Sequence, residues 1–391
     1  MNGAWWVKQR DLDDDQKSVF TLPVSDDHLV KGPPGSGKTN LLLLRAKQLI
    51  GSGQPNVIVV VHTRTLQEFI KAGAAGYGVS GNKVVTFRKL AQDLLYRNGA
   101  SVTLPQDFDK ARAALVDALQ AQLAADRLTH EYSCVLVDEA QDFLPGEMAV
   151  LRAIGERFFG VADARQKIYK GQDAVSNLEA EMNTVTLRFH YRNGRKICIV
   201  ADGLAKSAAK PTLLDTSKYD ESKLPSSVEV VPPRPLAAQC DELLARLDTQ
   251  LKAYPSEMIG VVCPRGEDAD AVIAHLRGSS LSGSVIAQRF DDGYEAFGPD
   301  KRICVSALHS AKGLEFRAVH LLATDGLKKF PMQRGLAFMG VTRAKTSLTI
   351  YHEDDLPGYL EGALSQLNPT AKMLGLESLL DGDDDESEGS A

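Results

Sequence analysis

The sequence predicts an α/β protein of two lobes, each a parallel sheet with helices on both faces. Three observations carry that prediction. The chain has 391 residues, enough for two domains at roughly 150 residues each. Its most apolar segments are short, continuous and Val/Ile-rich, the pattern of strands buried on both faces. Segments of helical periodicity alternate with them, as the crossovers of a parallel sheet require.

In order, a short strand around 28–31 runs into GPPGSGKT at 32–39 and the apolar helix LLLLRAKQLI. GSGQPN forms a loop, and a strand covers 56–61. KVVTF at 83–87 is a further β-rich segment, followed by the helix KLAQDLLYRNG. Residues 107–129 are Ala/Leu-rich at helical spacing, and YSCVLVD at 132–138 is a continuous apolar strand. Composition shifts at 208–235, where Pro, Ser and charge dominate, as in a surface connection inside or beside a second lobe. Alternation then resumes with a helix over 236–253, a strand at 258–263, a helix to His275, and strands at 302–308, 318–324 and 347–352.

Hydrophobic residues make up 43% and charged residues 25% of the chain, ordinary values for a protein with a substantial core. No apolar run approaches the ~20 residues of a membrane span, and the N-terminus lacks the apolar core of a secretory signal. The five cysteines (134, 198, 240, 263, 304) form no Cys-x-x-Cys pair, which argues for buried reduced thiols and against a cysteine-ligated cluster. A cytoplasmic protein with no membrane contact is the expectation. The net charge of −6 is matched by six acids in the tail Asp381–Ala391, so the rest of the chain is near neutral. A neutral body does not announce a polyanion ligand, but it leaves room for a local basic groove. The tail itself has the composition of a disordered segment. Trp5 and Trp6, the only tryptophans, read as an N-terminal segment packed on the first lobe. His28, His130, His190, His275 and His352 have no ligand spacing.

Gly32-Pro33-Pro34-Gly35-Ser36-Gly37-Lys38-Thr39 matches G-x-x-x-x-G-K-[ST] between a strand and a helix. The glycines let successive N–H groups turn inward around a β-phosphate. Lys38 reaches β/γ oxygens, the Thr39 hydroxyl ligates Mg²⁺, and the helix N-terminus adds positive field. In VLVDEAQD (135–142), Asp138 at the tip of an apolar strand can hold Mg²⁺ through its water shell. Glu139 enters the same cleft, where a carboxylate can take a proton from attacking water. Together the two motifs point to ATP hydrolysis with Mg²⁺.

DEAQD taken with GPPGSGKT resembles the UvrD/Rep-type superfamily 1 helicases, and the likeness continues in order from about residue 11 to about 350. That resemblance implies two RecA-like lobes and assigns roles residue by residue. LDDDQ (12–16) looks like the adenine-reading segment, which puts Gln16 on the base. Thr63-Arg64 and Thr86-Phe87 fall where the family's first lobe touches the DNA strand. VADARQKIY (161–169) is similar to the segment linking hydrolysis to DNA, with Asp163 matching, Gln166 near the γ-phosphate and Tyr169 near a base. LRFHYRN (187–193) supplies Arg192 as a γ-phosphate arginine. SALHSAKGLEF (306–316) implies that His309 faces the strand, Gly313 lies near the phosphates and Glu315 holds the ribose. MGVTRAK (339–345) supplies Arg343 as a second arginine finger.

The chain departs from the family in three respects. Residues 88–137 leave no room for the first accessory subdomain of larger members, and 193–308 only complete the second lobe, so processive unwinding by this chain alone is not implied. Lys170-Gly171-Gln172 follows Ile168-Tyr169 where a base-stacking tryptophan is usual, and such stacking contributes about 1–3 kcal/mol per base. His62 stands where an aromatic is common, Ala162 for glycine and Ala307 for threonine.

The resulting expectation is a first lobe at 1–185, a second at 186–375 and a disordered acidic tail at 376–391. Lys38, Thr39 and Asp138 position Mg-ATP, Glu139 activates water ordered by Gln141 and Gln166, and Arg192 and Arg343 stabilise the transferring phosphate. The partner is single-stranded DNA, with RNA open, and the resemblance implies 3′-to-5′ movement, for instance in DNA repair. Two alternatives remain: a nucleic-acid-stimulated ATPase that unwinds only with a partner protein, and a nucleotide-operated switch that binds a protein. A small-molecule kinase would leave GLEF and TRAK without a task.

Overall fold

A computed structural model describes residues 6, 9–163, 174–205, 211–289, 294–329 and 333–368. It contains two six-stranded sheets in which every pairing is parallel. The first is built from β1 (His28–Lys31), β2 (Val57–Val61), β3 (Val84–Thr86), β4 (Cys134–Val137), β5 (Phe158–Ala162) and β6 (Asn183–Thr186), in the order β3-β2-β4-β5-β1-β6. The second holds β7 (Ser227–Val230), β8 (Ile259–Cys263), β9 (Val285–Gln288), β10 (Ile303–Ala307), β11 (Phe316–Leu321) and β12 (Ala344–Ile350), in the order β7-β12-β11-β8-β10-β9.

The central strands are buried throughout their length, so each must be apolar on both faces. The first-lobe helices are α1 (Asp14–Phe20), α2 (Lys38–Gly51), α3 (Arg64–Ala74), α4 (Phe87–Arg97), α5 (Phe108–Ala124), α6 (Pro145–Ala153) and α7 (Ala174–Glu181). They are followed by α8 (Arg195–Leu204), α9 (Leu213–Thr216), α10 (Leu236–Ala253), α11 (Gly266–Arg277), α12 (Gln333–Val341) and α13 (Gly358–Leu364). Among the described residues no helix is long and apolar enough to cross a membrane.

Four strands lie outside the sequence reading: β5, β6, β7 and β9. Both β6 and β7 are edge strands with mostly exposed residues, so neither needs the apolar run that marks a central strand. The Pro/Ser-rich stretch 208–235 holds α9 and β7, which pairs with β12. The first sheet ends at Thr186, and α8 already packs on α12 and α13.

The two sheets place the C-terminal ends of β1, β4 and β5 opposite a face of the second lobe. Leu66 and Phe69 of α3 share one apolar cluster with Phe297, Leu308 and Leu314, and the Phe69 and Phe297 rings meet edge-on at 5.7 Å. The seam between lobes is therefore partly dry.

Candidate nucleotide cleft and nucleic-acid face

After β1 the chain turns through 32–37 and enters α2 at Lys38. Nearly every residue that follows, from Leu41 to Ala46, is buried, which anchors the loop. Lys38 is buried and its ammonium donates to the carbonyls of Gly32 (2.8 Å) and Pro33 (2.9 Å). Burial lowers its pKa, and Asp163 and Glu139 act against that shift. Gly35 has φ +77°, and a Cβ there would lie 2.3 Å from Cβ of Arg192, so both conformation and space demand glycine. Its carbonyl accepts from the Tyr191 N–H at 3.0 Å. The predicted arginine thus packs directly on the loop.

Thr39, the second residue of α2, donates its hydroxyl to Asp138 Oδ2 at 2.8 Å. Asp138 follows β4 directly, and its other oxygen accepts from the Glu139 N–H at 2.9 Å. Burial, then the adjacent Glu139, pushes the Asp138 pKa up to about 7. Burial acts the same way on Glu139, but Lys312, Lys38 and Arg343 together bring its pKa below the ordinary carboxylate value. Glu139 sits at φ 52°, a left-handed backbone that costs about 1 kcal/mol or more in a non-glycine residue. Gln141 donates to the Glu139 carboxylate and accepts from the Asp163 N–H at 2.9 Å. A hydroxyl and a carboxylate in contact at a P-loop are the hard oxygen donors that Mg²⁺ takes, so the residues present fit that ion.

The second lobe supplies the opposite wall. Arg192 Nε donates to Glu315 Oε2 at 2.6 Å, and Lys345 Nζ pairs with Oε1 at 2.6 Å. Burial opposes the Glu315 charge, but Lys345 and Arg192 hold its pKa down at about 2. Arg343 is fully buried, donates to the carbonyls of Leu314 (2.8 Å) and Met339 (3.1 Å), and has its pKa lowered by burial to about 10. A cavity of about 50 Å³ is lined by Lys38, Thr39, Asp138, Glu139, Gly313, Arg192 and Arg343 among others. A second, of about 320 Å³, shares Gly35, Gly37, Asn40, Arg192 and Glu315 with it and adds Gln16, Tyr191 and Lys345.

Gln16 lies in that second cavity, but its amide is engaged at both ends. Nε2 donates to the Ser36 carbonyl at 2.9 Å and Oε1 accepts from the Asp13 N–H at 3.1 Å. One N–H and one lone pair of the amide remain for a base.

The described residues expected on the strand-binding face differ in exposure and in what they contact. Thr63 and Thr86 are N-caps, accepting from the N–H groups of Leu66 (3.2 Å) and Lys89 (3.3 Å). Arg64 is exposed, with its guanidinium 5.7 Å from the centre of the Tyr294 ring. His309 is exposed. Phe87 corrects the expectation: it is 5% exposed and packs edge-on against Phe143 at 6.4 Å, a core residue of the first lobe. His62 is packed edge-on against Phe143 and Phe108. Its pKa falls to about 3 through burial, then through Arg112 and Lys312. Gln166, Tyr169 and the Lys170-Gly171-Gln172 departure lie outside the described residues, as do Trp5 and the acidic tail.

Sequence reasoning missed Asn40, Tyr191, Lys312 and Lys345. Tyr191 and Lys345 each lie within two residues of a predicted arginine, which was the available signal.

A phosphate loop after β1, an acid pair after β4 two strands away and arginines from a second α/β lobe are the parts of a two-lobed P-loop nucleotide site. Residues 16–172 match the AAA domain family, and residues 302–351 match the UvrD-like helicase C-terminal domain. No curated protein matches the chain. The matching solved structures include two helicases. One is Arterivirus nonstructural protein 10 (helicase), at 19% identity and TM-score 0.42, covering 90% of this chain and 63% of that one. The other is the PRRSV helicase, at 14% and 0.39, covering 87% and 57%. This chain therefore spans less than two thirds of either. The two matched segments are thus similar to an AAA domain and to the UvrD-like helicase C-terminal domain, in line with the family the sequence resembles.

Proposed function

We propose that the chain hydrolyses Mg-ATP between its lobes and uses the cycle to move on single-stranded DNA. The observation that carries this reading is one cavity bordered by Lys38, Thr39, Asp138 and Glu139 from the first lobe and by Arg192 and Arg343 from the second side. Thr39 and Asp138 would hold the magnesium ion, which when bound neutralises charge on the phosphate oxygens. Lys38 would leave the Gly32 and Pro33 carbonyls for the β/γ oxygens. Glu139, charged and steadied by Gln141, accepts the proton of the attacking water, with Gln166 assigned to the same water by the resemblance. Arg192 and Arg343 stabilise the leaving γ-phosphoryl, a contribution on the order of 10³-fold or more for such arginines. Hydrolysis then depends on how the lobes sit, and nucleotide state becomes lobe geometry. The 3′-to-5′ direction is carried over from the resemblance.

The test is steady-state ATP hydrolysis with and without a single-stranded oligonucleotide, using Lys38→Ala as the blank. Strong stimulation that the blank lacks supports the motor. Hydrolysis indifferent to any DNA or RNA overturns it and favours a protein-binding switch. A second reading concerns unwinding. Between β3 and β4 the helices are α4 and α5 alone, so no separate subdomain stands there to engage duplex. Strand separation by a complex with a partner protein, and translocation without it, follows from that economy.

A further inference from the structure

We infer that Trp6 is a nucleotide-contacting residue, an aromatic wall that the segment ahead of α1 adds to the cleft. The inference rests on the ATPase reading above. Trp6 is half-buried and lines the same cavity as Lys38, Thr39 and Asn40. Its ring stacks on Phe69 of α3, with centroids 5.2 Å apart and planes at 29°, and meets Tyr77 edge-on at 5.9 Å. The Tyr77 hydroxyl donates in turn to Asn40 Oδ1 at 2.7 Å, and Asn40 lines both cavities. One side of the indole is therefore fixed on the first lobe, and the cavity lies on another.

Gly73 shows that the contact is built in. It is a buried residue inside α3, where glycine costs about 1 kcal/mol relative to alanine. Its backbone is not left-handed, so conformation does not call for it. A Cβ at Gly73 would lie 1.9 Å from the Trp6 ring; the missing side chain is the seat of the indole. The buried indole Nε1 finds no acceptor among the described residues. A tryptophan normally finds a partner for that N–H when buried, and a nucleoside triphosphate in the cleft offers acceptors. Phe69 also touches Phe297 of the second lobe, so the wall Trp6 leans on belongs to the seam between the lobes.

The experiment uses the full chain and compares wild type with Trp6→Phe, Trp6→Ala, Trp5→Phe and Gly73→Ala. Mg-ATP or a non-hydrolysable analogue is expected to change intrinsic tryptophan fluorescence in wild type and Trp5→Phe, but not in Trp6→Phe. Trp6→Ala raises KM for ATP by about five- to ten-fold, exceeding any fall in kcat, and Trp6→Phe raises it less. Gly73→Ala reproduces the KM rise although alanine favours the helix, because its methyl evicts the ring. If ATP binds and is hydrolysed with unchanged KM in both Trp6→Ala and Gly73→Ala, the assignment falls and Trp6 is packing alone. If wild type neither binds nor hydrolyses ATP in a labelled-nucleotide competition assay, the ATPase reading falls with it.

Discussion

Lys312 and Asp142 form a buried ion pair between the lobes, their side chains 2% and 1% exposed. Asp142 closes the DEAQD segment, and Lys312 directly precedes Gly313. Burial pushes the Asp142 pKa up to about 6 while Lys312 pulls it down. The Asp142 carbonyl accepts from Arg112 Nη2 at 3.0 Å, and Arg112 is itself paired with the buried Glu147. The cross-lobe charge is thereby fixed to α5 and α6. Removing one partner strands the other charge at a cost of about 3–5 kcal/mol, whereas replacing both by apolar groups is close to neutral. Thermal melting should show Lys312→Met and Asp142→Leu each lowered and the double variant largely restored. A double variant no better than the singles would mean that the losses come from each side chain's own packing and not from a stranded charge.

Arg192 separates chemistry from binding. Arg192→Ala is expected to lower kcat by roughly 10²–10³-fold, with a much smaller change in KM. Glu315→Ala, which frees Arg192 and Lys345 together, should raise KM instead. Initial-rate kinetics on the two variants decide between these roles, and identical profiles would contradict the assignment.

The Thr39–Asp138 contact sets the metal requirement. Thr39→Val keeps the shape but loses the hydroxyl, so the half-saturating Mg²⁺ concentration should rise at least roughly ten-fold at fixed ATP. Titrating Mg²⁺ against hydrolysis rate measures it.

Phe87 belongs to the core. Phe87→Ala should cost about 3–5 kcal/mol of stability, while Thr63→Val or Thr86→Val, losing a cap, should cost about 1 kcal/mol each. Phe87→Leu should melt near wild type and bind strands normally. Weak strand binding by a well-folded Phe87→Leu would return the ring to the nucleic-acid face.

His320 imposes a pH limit on the second lobe. It is fully buried, its ring nitrogens bonded to the Tyr351 hydroxyl (2.9 Å) and Gln250 Oε1 (2.8 Å). Burial, then Arg246, brings its pKa down from 6.5 to about 3. Between those values the unfolded chain takes up a proton that the folded chain refuses, so stability is present above pH 6.5 and lost as pH falls towards 3. From pH 6.5 to 5 the loss should be about 2 kcal/mol. Melting temperatures across that range should flatten in His320→Gln.

The phosphate loop and the acid pair were legible because each is contiguous and sits at a strand end that apolarity announces. The double-faced burial of β2, β4 and β8 made both sheets readable for the same reason. The edge strands β6 and β7 were not, since residues such as Asn183, Thr184 and Glu229 face solvent. Thr63 and Thr86 could have been read as caps from their place before amphipathic helices; the local bond explains their presence in that position without a ligand. Lys312 and Asp142 lie 170 residues apart, and no local pattern connects them. Phe87 misled because position in a motif says nothing about which way a ring turns.

All five cysteines are reduced and buried, with Cys134 and Cys198 pushed up to about 12 and Cys240 to about 11 by burial. A thiol reacts as its thiolate and only where a reagent can reach it. The native chain is therefore close to silent towards maleimides. Two cysteines introduced at exposed sites, one on each lobe, would carry a fluorescent donor and acceptor without any native thiol first being removed. The distance between the lobes could then be followed turnover by turnover in an otherwise unaltered protein.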